Sequence, residues 1–414
     1  MEIFAASRML TMTGAPEKSN ALLVSEGRVV GTGTLAELRS QHTATIHEFP
    51  GCVIMPGLVN AHTHLELTHF PAWKIRKGID YSPRTYVDWV VQVIKIKRAL
   101  TQQELELSLR EGFRISLEAG TTAVGDIMSD RRLLPHYETA PFFGRLFFEA
   151  LGQDPVQNLQ QLRGLEEAIA FRFSNSISPG ISPHAPHTVA PDYLRDLKLF
   201  AARHSLPVMI HVAESREESA FLHDTSGRIA EELYPLVHWE AYLPRPRHTT
   251  PVRFLDDIGV LDKDTVAVHC VHVSAADAEL LRERCVPVVL CPRSNDRLVV
   301  GTAPVRNFKK TGILLALGTD SLASNDSLSL WDEMRFLRSQ HPGLFTPREL
   351  LEMVTCNAAE ILHLGEAGSL DVGKRADFIV VRPKTLPDGD EVMDAVIEES
   401  GIEEVFIAGR HVTI

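Results

Sequence analysis

Between residues 52 and 318 the chain repeats one pattern eight times: a short apolar run, then a longer polar or amphipathic stretch. The apolar runs lie at 52–59, 121–127, 143–150, 177–183, 207–212, 265–271, 286–291 and 313–318. Runs of this length read as buried strands, and stretches such as 103–119 and 274–284 carry apolar residues at helical spacing. Parallel neighbouring strands need a crossover, usually a helix, so strand–helix alternation favours a parallel sheet. Eight such units predict an α/β fold, a (β/α)8 TIM-type barrel with its helices outside. The ends of the chain read differently. Residues 21–24 and 27–31 flank Ser25-Glu26 as a hairpin would, and 376–381 and 405–412 have the same short-strand texture. The expectation is a small β-sandwich-like domain from residues 1–54 and 366–414, with the catalytic barrel at 55–365. Segments 74–100 and 215–253 are longer than a simple crossover. Loops that follow barrel strands carry function, so these two are expected to cover a site.

The net charge of -12 argues against nucleic acid or an anionic membrane as partner. The first residues lack a basic stretch followed by a long apolar run, so no signal peptide is expected. No apolar stretch is long enough for a membrane span. The five cysteines are scattered, form no CxxC pair and mostly sit in apolar runs. They read as reduced residues of a cytoplasmic protein.

In a barrel of this kind the carboxyl ends of the strands converge on one face. Strand one leads into His62-Thr63-His64, and side chains two apart on a strand share a face. Strand four ends in His184, strand five in His211-Val-Ala-Glu214, strand six in His269, strand seven in Cys291-Pro-Arg-Ser-Asn295, and strand eight in Asp320. Singly, each has a dull reading: a strand-end histidine is more often hydrogen-bonded than metal-bound, and an aspartate before serine caps helices. Together they predict one mononuclear metal site. Three histidines and a carboxylate suit Zn2+, with Fe2+ as the alternative.

This set, with the stretches AHTHLEL, SPHAPHTV, HVAES, VHCVH, CPRSN and GTDSLASNDSLSLWDEM, resembles the amidohydrolase superfamily, in its branch of adenine-nucleoside deaminases. The closing GSLDVGKRADFIVV is similar to that superfamily's flanking β-domain. Strand four carries Ile181-Ser-Pro-His184 where binuclear members have a bridging lysine, which favours one metal. The resemblance implies that His62, His64, His211 and Asp320 hold the metal. It implies further that Asp320 accepts a proton from the attacking water, His269 orients that water, Glu214 protonates the ring nitrogen, and His184 binds the ring or the ribose. The HxE and PCxxC signature of cytidine-deaminase-type enzymes is absent.

Two subfamilies compete for the substrate. S-adenosylhomocysteine and methylthioadenosine deaminases usually carry HTHxPM, where this chain has His64-Leu-Glu66-Leu. They also tend to place a ribose-binding glutamate past a tryptophan in the strand-one loop, and the matching count from Trp89 reaches Arg98. Aminodeoxyfutalosine deaminases of the menaquinone route resemble the chain more, at HTHxE, at Glu149 in strand three, at HAPxxV and at SLSLxDE. The resemblance therefore implies deamination of 6-amino-6-deoxyfutalosine to futalosine. Glu149 would bind the ribose and Arg98 or Arg145 the benzoate carboxylate, with Trp89 and Asn295 as further substrate contacts. The expected partner is this small nucleoside alone, in a chain that resembles dimeric relatives and so is expected as a homodimer. The alternatives are a sulfur-nucleoside deaminase, a chlorohydrolase or cyclic amidase of the same superfamily, or a scaffold that has lost its metal.

Overall fold

The computed structural model describes residues 1–13, 19–171, 173, 176–398 and 400–413. From the amino end come β1 (Glu2–Met9), β2 (Ala21–Ser25), β3 (Arg28–Gly33) and β4 (Thr45–Pro56). The middle contributes β5 (Leu58–Thr63), β6 (Thr121–Met128), β7 (Phe143–Ala150), β8 (Ile177–Pro183), β9 (Val208–Val212), β10 (Thr265–His269), β11 (Val288–Leu290) and β12 (Leu315–Leu317). The last three are β13 (Phe378–Pro383), β14 (Ser400–Ile407) and β15 (Arg410–His411).

The eight middle strands form one parallel sheet in chain order, from β5 to β12. A parallel bridge between Thr63 and Asp320 brings its two edges together. The approach is close: a Cβ on Gly318 would lie 2.7 Å from the His62 carbonyl oxygen, so only glycine fits there. This is the TIM-type barrel expected from the eightfold alternation. Its interior is a buried apolar cluster that includes Val59, Ala61, Phe147, Met209, Val268 and Ala316. The helix Cys356–Ile361 closes its amino end through Ala358, Ala359 and Ile361. A larger cluster fills the space between strands and outer helices. The helix Gln102–Glu118 shows why: Thr101 and Glu104 form a capping box, and Leu105, Leu109, Phe113 and Leu117 recur at helical spacing on the buried face.

Both chain ends meet in a second sheet, ordered β15-β14-β13-β4-β1-β2-β3. Glu26 and Gly27 both take positive φ between β2 and β3, the backbone of a two-residue hairpin turn.

The apolar run at 52–59 is not one strand but two. Its first part completes β4 in the terminal sheet, and its last residues open β5 in the barrel. Gly57 is the joint, packed so tightly that a Cβ there would sit 2.1 Å from Thr122 Oγ1. Both halves are fully buried, so hydropathy alone shows no break between them.

Candidate metal centre and catalytic cavity

The barrel's first and last strands meet where the histidines lie. Pairing of β5 with β6 slips between Asn60 and Thr63, so simple alternation fails at this strand end. His62 remains on the strand and His64 opens the one-turn helix Leu65–Leu67. Both rings reach the same space, with centroids 5.0 Å apart. His211 on β9 joins them: its Nε2 lies 3.3 Å from His62 Nε2. One ligand atom from each of His62, His64 and His211 falls within a 4.8 Å cluster. Asp320 Oδ1 lies 4.0 Å from His62 Nε2 and 3.7 Å from His64 Nε2.

The side chains behind these groups fix their direction. His211 Nδ1–H donates to the His184 carbonyl at 2.7 Å, which turns its Nε2 lone pair inward. His269 Nδ1–H donates to Asn295 Oδ1 at 2.9 Å, with the same effect. Asp320 Oδ2 accepts the hydroxyls of Ser294 and Ser324, each at 2.7 Å, leaving Oδ1 to face the imidazoles. Burial, reinforced by neighbouring imidazoles, holds His62 and His64 far below the ordinary histidine range and His211 at about 4. Neutral imidazoles with converging lone pairs beside a carboxylate are the donor set of a divalent metal site. Ala213, His269, Cys270 and Asp320 all take left-handed backbone at these strand ends. Such residues cost about 1–3 kcal/mol each and cluster where a site demands them.

A buried carboxyl, Glu214, lines the same space. Its Oε1 lies 3.8 Å from His269 Nε2. Burial pushes its carboxyl up to about 7, against the opposing pull of His211 and a hydrogen bond from the Tyr86 hydroxyl. Its backbone is pinned from behind: buried Glu218 accepts the N–H groups of Ala213 at 2.9 Å and Glu214 at 3.0 Å.

These groups floor a cavity of about 320 Å³. The two long segments form its walls. The helix Tyr86–Arg98 presents Tyr86, Trp89, Val90, Val93, Ile94 and Lys97 along one face, and Leu233, Val237 and Trp239 face them from the second segment. Arg228 ties the segments together, pairing with Asp88 at 2.6 Å. Of the residues singled out in the sequence, His64, Trp89, Arg98, Glu149, His184, His211, Glu214, His269 and Asp320 line this cavity. Fully buried His62 lies behind them.

Two expectations are corrected. Arg145 shares the inward face of β7 with Glu149 but lies four residues back, about 13 Å deeper at the rise of a strand. Its guanidinium donates to the carbonyls of Leu362 and Pro179 near the closed end of the barrel, and it does not line the cavity. Asn295 does not line the cavity either; its amide oxygen is occupied by His269.

Sequence reasoning passed over Glu218, Ser294, Ser324, Tyr86 and Lys97. Only Glu218 had a signal. Ser215-Arg-Glu-Glu218 has the pattern of a capping box, and the Ser215 hydroxyl does accept the Glu218 N–H at 3.1 Å. The glutamate reaches back past the cap to the turn at Ala213 and Glu214 instead.

The chain belongs to the amidohydrolase family, whose pattern matches residues 53–412. It is accordingly a hydrolase acting on C–N bonds, with the TIM barrel and metal dependence of that family. It is similar to the aminodeoxyfutalosine deaminase of Deinococcus radiodurans, with 32% identity over 385 residues, covering 89% of this chain and 84% of that protein. It is also similar to the 5-methylthioadenosine/S-adenosylhomocysteine deaminase of Syntrophobacter fumaroxidans, with 30% identity over 409 residues, covering 94% and 87%. In fold it matches the crystal structure of Helicobacter pylori aminofutalosine deaminase in complex with methylthio-coformycin. That TM-score is 0.86 at 22% identity, over the full length of both chains. No helix among the described residues is long and apolar enough to cross a membrane.

Proposed function

We propose that this chain hydrolyses the 6-amino group of an adenine nucleoside, with 6-amino-6-deoxyfutalosine as substrate and futalosine and ammonia as products. One observation carries the deaminase reading: Glu214, a buried carboxyl held near neutrality, faces the same cavity as the histidine cluster and lies 3.8 Å from His269. An acid with a pKa near the working pH is suited to lend a proton and take it back.

His62, His64, His211 and Asp320 would hold one divalent metal, and nitrogen-rich coordination favours Zn2+. When bound, such an ion lowers the pKa of water and supplies a nucleophile near neutral pH. Glu214 donates a proton to the ring nitrogen beside the carbon under attack, so that carbon becomes electrophilic. His269, its Nδ1–H held by Asn295, presents Nε2 to the water and orients it. Asp320 takes the proton that water loses on attack. The C–O bond forms, the proton held by Asp320 passes to the amino group, and the C–N bond breaks to release ammonia; the proton on the ring nitrogen stays with the product, and the one shed by the new hydroxyl as it becomes a carbonyl returns Glu214 to its acid form. His184, whose Nδ1 pairs with Thr188 Oγ1 at 2.8 Å, would contact the ring or the ribose.

The far walls support the choice of substrate. Trp89, Trp239 and the aliphatic residues between them suit an aryl tail, and Arg98 is an unpaired cation among the described residues, suited to its carboxylate. Glu149 suits the ribose. The second reading is S-adenosylhomocysteine, because Arg98 would equally meet an amino-acid carboxylate. The test is a steady-state panel of aminodeoxyfutalosine, S-adenosylhomocysteine, methylthioadenosine, adenosine and guanine, followed by the loss of purine amine absorbance. Highest kcat/KM for aminodeoxyfutalosine supports the proposal. Preference for the sulfur nucleosides transfers the substrate to the second reading, and turnover of none refutes both.

A further inference from the structure

Chemistry at the ring uses neither Lys97 nor buried Glu66, yet the two form an elaborate polar cluster in the wall of the cavity. Glu66 is 2% exposed and lies two residues after His64. Its carboxylate is fully engaged. Oε2 accepts the Ser129 backbone N–H at 3.2 Å, and Oε1 accepts the Ser129 hydroxyl and the Lys97 ammonium, the latter at 3.1 Å. Lys97 also donates to Ser129 Oγ. A lysine carries three donors, so one N–H remains. Lys97 sits on the cavity-facing side of its helix. An ion pair between a half-buried lysine and a buried carboxylate adds little stability over apolar packing, so stability alone does not account for this one.

Glu149 lines the same cavity and lies within electrostatic reach of Lys97. Its carboxylate accepts no hydrogen bond from a described residue. One spare donor and one open acceptor therefore face a shared space. Their charges limit what can enter. A carboxylate or phosphate would meet Glu149 and Glu66, and an ammonium would meet Lys97. A neutral pair of adjacent hydroxyls satisfies both, one accepting from Lys97 and its neighbour donating to Glu149.

We propose that Lys97, held by Glu66 and Ser129, acts with Glu149 as the specificity-determining pair that reads the vicinal sugar hydroxyls of the substrate. This rests on the nucleoside-deaminase reading above and adds a residue with no part in the chemical step. Its effect falls on KM and on discrimination between sugars, while the acid–base groups stay intact.

The experiment compares adenosine, 2′-deoxyadenosine and 3′-deoxyadenosine with the wild-type metal-loaded enzyme and with Lys97→Met, Lys97→Arg and Glu149→Gln. A site built to bond a hydroxyl rejects the analogue lacking it, so wild type should favour adenosine by at least about tenfold in kcat/KM. Lys97→Met should raise KM for adenosine and for the deoxy analogue that keeps the hydroxyl read by Lys97, while leaving the analogue that lacks it within about twofold, so that the preference over that analogue collapses. Lys97→Arg should recover part of it. Absence of discrimination by wild type, or an equal loss on all three substrates in Lys97→Met, overturns the inference. Should Lys97→Met fail to fold, Glu149→Gln, which leaves the Lys97–Glu66 pair intact, decides by the same ratio. If wild type deaminates no adenine nucleoside at all, the underlying deaminase reading fails, and this inference with it.

Discussion

Ser294 and Ser324 give the sharpest test of how Asp320 is aimed. Both hydroxyls reach Oδ2 at 2.7 Å, and they lie 2.9 Å from each other. Both are fully buried, so no bulk water stands ready to replace them. A hydrogen bond to a charged acceptor contributes about 1.5–3 kcal/mol. At about 1.4 kcal/mol per tenfold, losing one without compensation would lower kcat/KM by roughly 10- to 100-fold, as found for groups that orient metal-binding side chains. The two share one acceptor, so the survivor of a single Ser→Ala change can tighten on Oδ2. Each single variant should therefore fall near the low end, about tenfold, and the double variant should lose more than the product of the singles. The assay is deamination of the best substrate in the panel, with metal content and melting temperature measured on each preparation. Singles within twofold of wild type, or a double variant whose loss merely multiplies the singles, would refute the idea that these hydroxyls jointly orient the carboxylate.

Glu214→Gln should retain the fold and bound metal but lose about 10²–10⁴ in kcat, because the amide cannot cycle a proton; activity above a tenth of wild type would reassign the acid. Glu333 predicts a pH effect on stability. Fully buried, it accepts Asn325 Nδ2 at 2.7 Å and the Arg293 N–H at 3.2 Å, and burial pushes its carboxyl up to about 8. A folded-state value above the unfolded one means stability is complete below about pH 4.5 and is lost as pH rises through about 8. Urea unfolding at about pH 5 and pH 8 should show wild type losing more stability than Glu333→Gln, by a few kcal/mol. Parallel losses in the two proteins would show that Glu333 does not titrate in this way.

Much of the site could be read from sequence because strand ends in a parallel barrel all face one way. His211, His269 and Asp320 needed only their positions after an apolar run to be placed together. What escaped was of three physical kinds. Depth along a strand is invisible to alternation, so Arg145 and Glu149 looked equivalent although one lies near the closed end and the other lines the cavity. A buried joint such as Gly57 leaves no mark in hydropathy, because the chain is apolar on both sides of it. Side chains that work through a neighbour carry no pattern of their own: Asn295 looked like a substrate contact and proved to hold His269, and Ser294 and Ser324 looked like ordinary turn residues. Lys97 was passed over for Arg98 because counting along a loop cannot say which of two adjacent cations turns inward to Glu66.

The seam between Thr63 and Asp320 has a consequence for how the enzyme is born. Of the proposed cation ligands, His211 sits on the fifth stave, while His62, His64 and Asp320 sit at the first and the last, joined there by the Asp320 N–H to the His62 carbonyl at 3.1 Å. A nascent chain that has left the ribosome only as far as β11 owns the three imidazoles but neither the aspartate nor the seam. Closing the cylinder and completing the proposed ligand set therefore wait on the same stretch of chain, the one that carries Asp320.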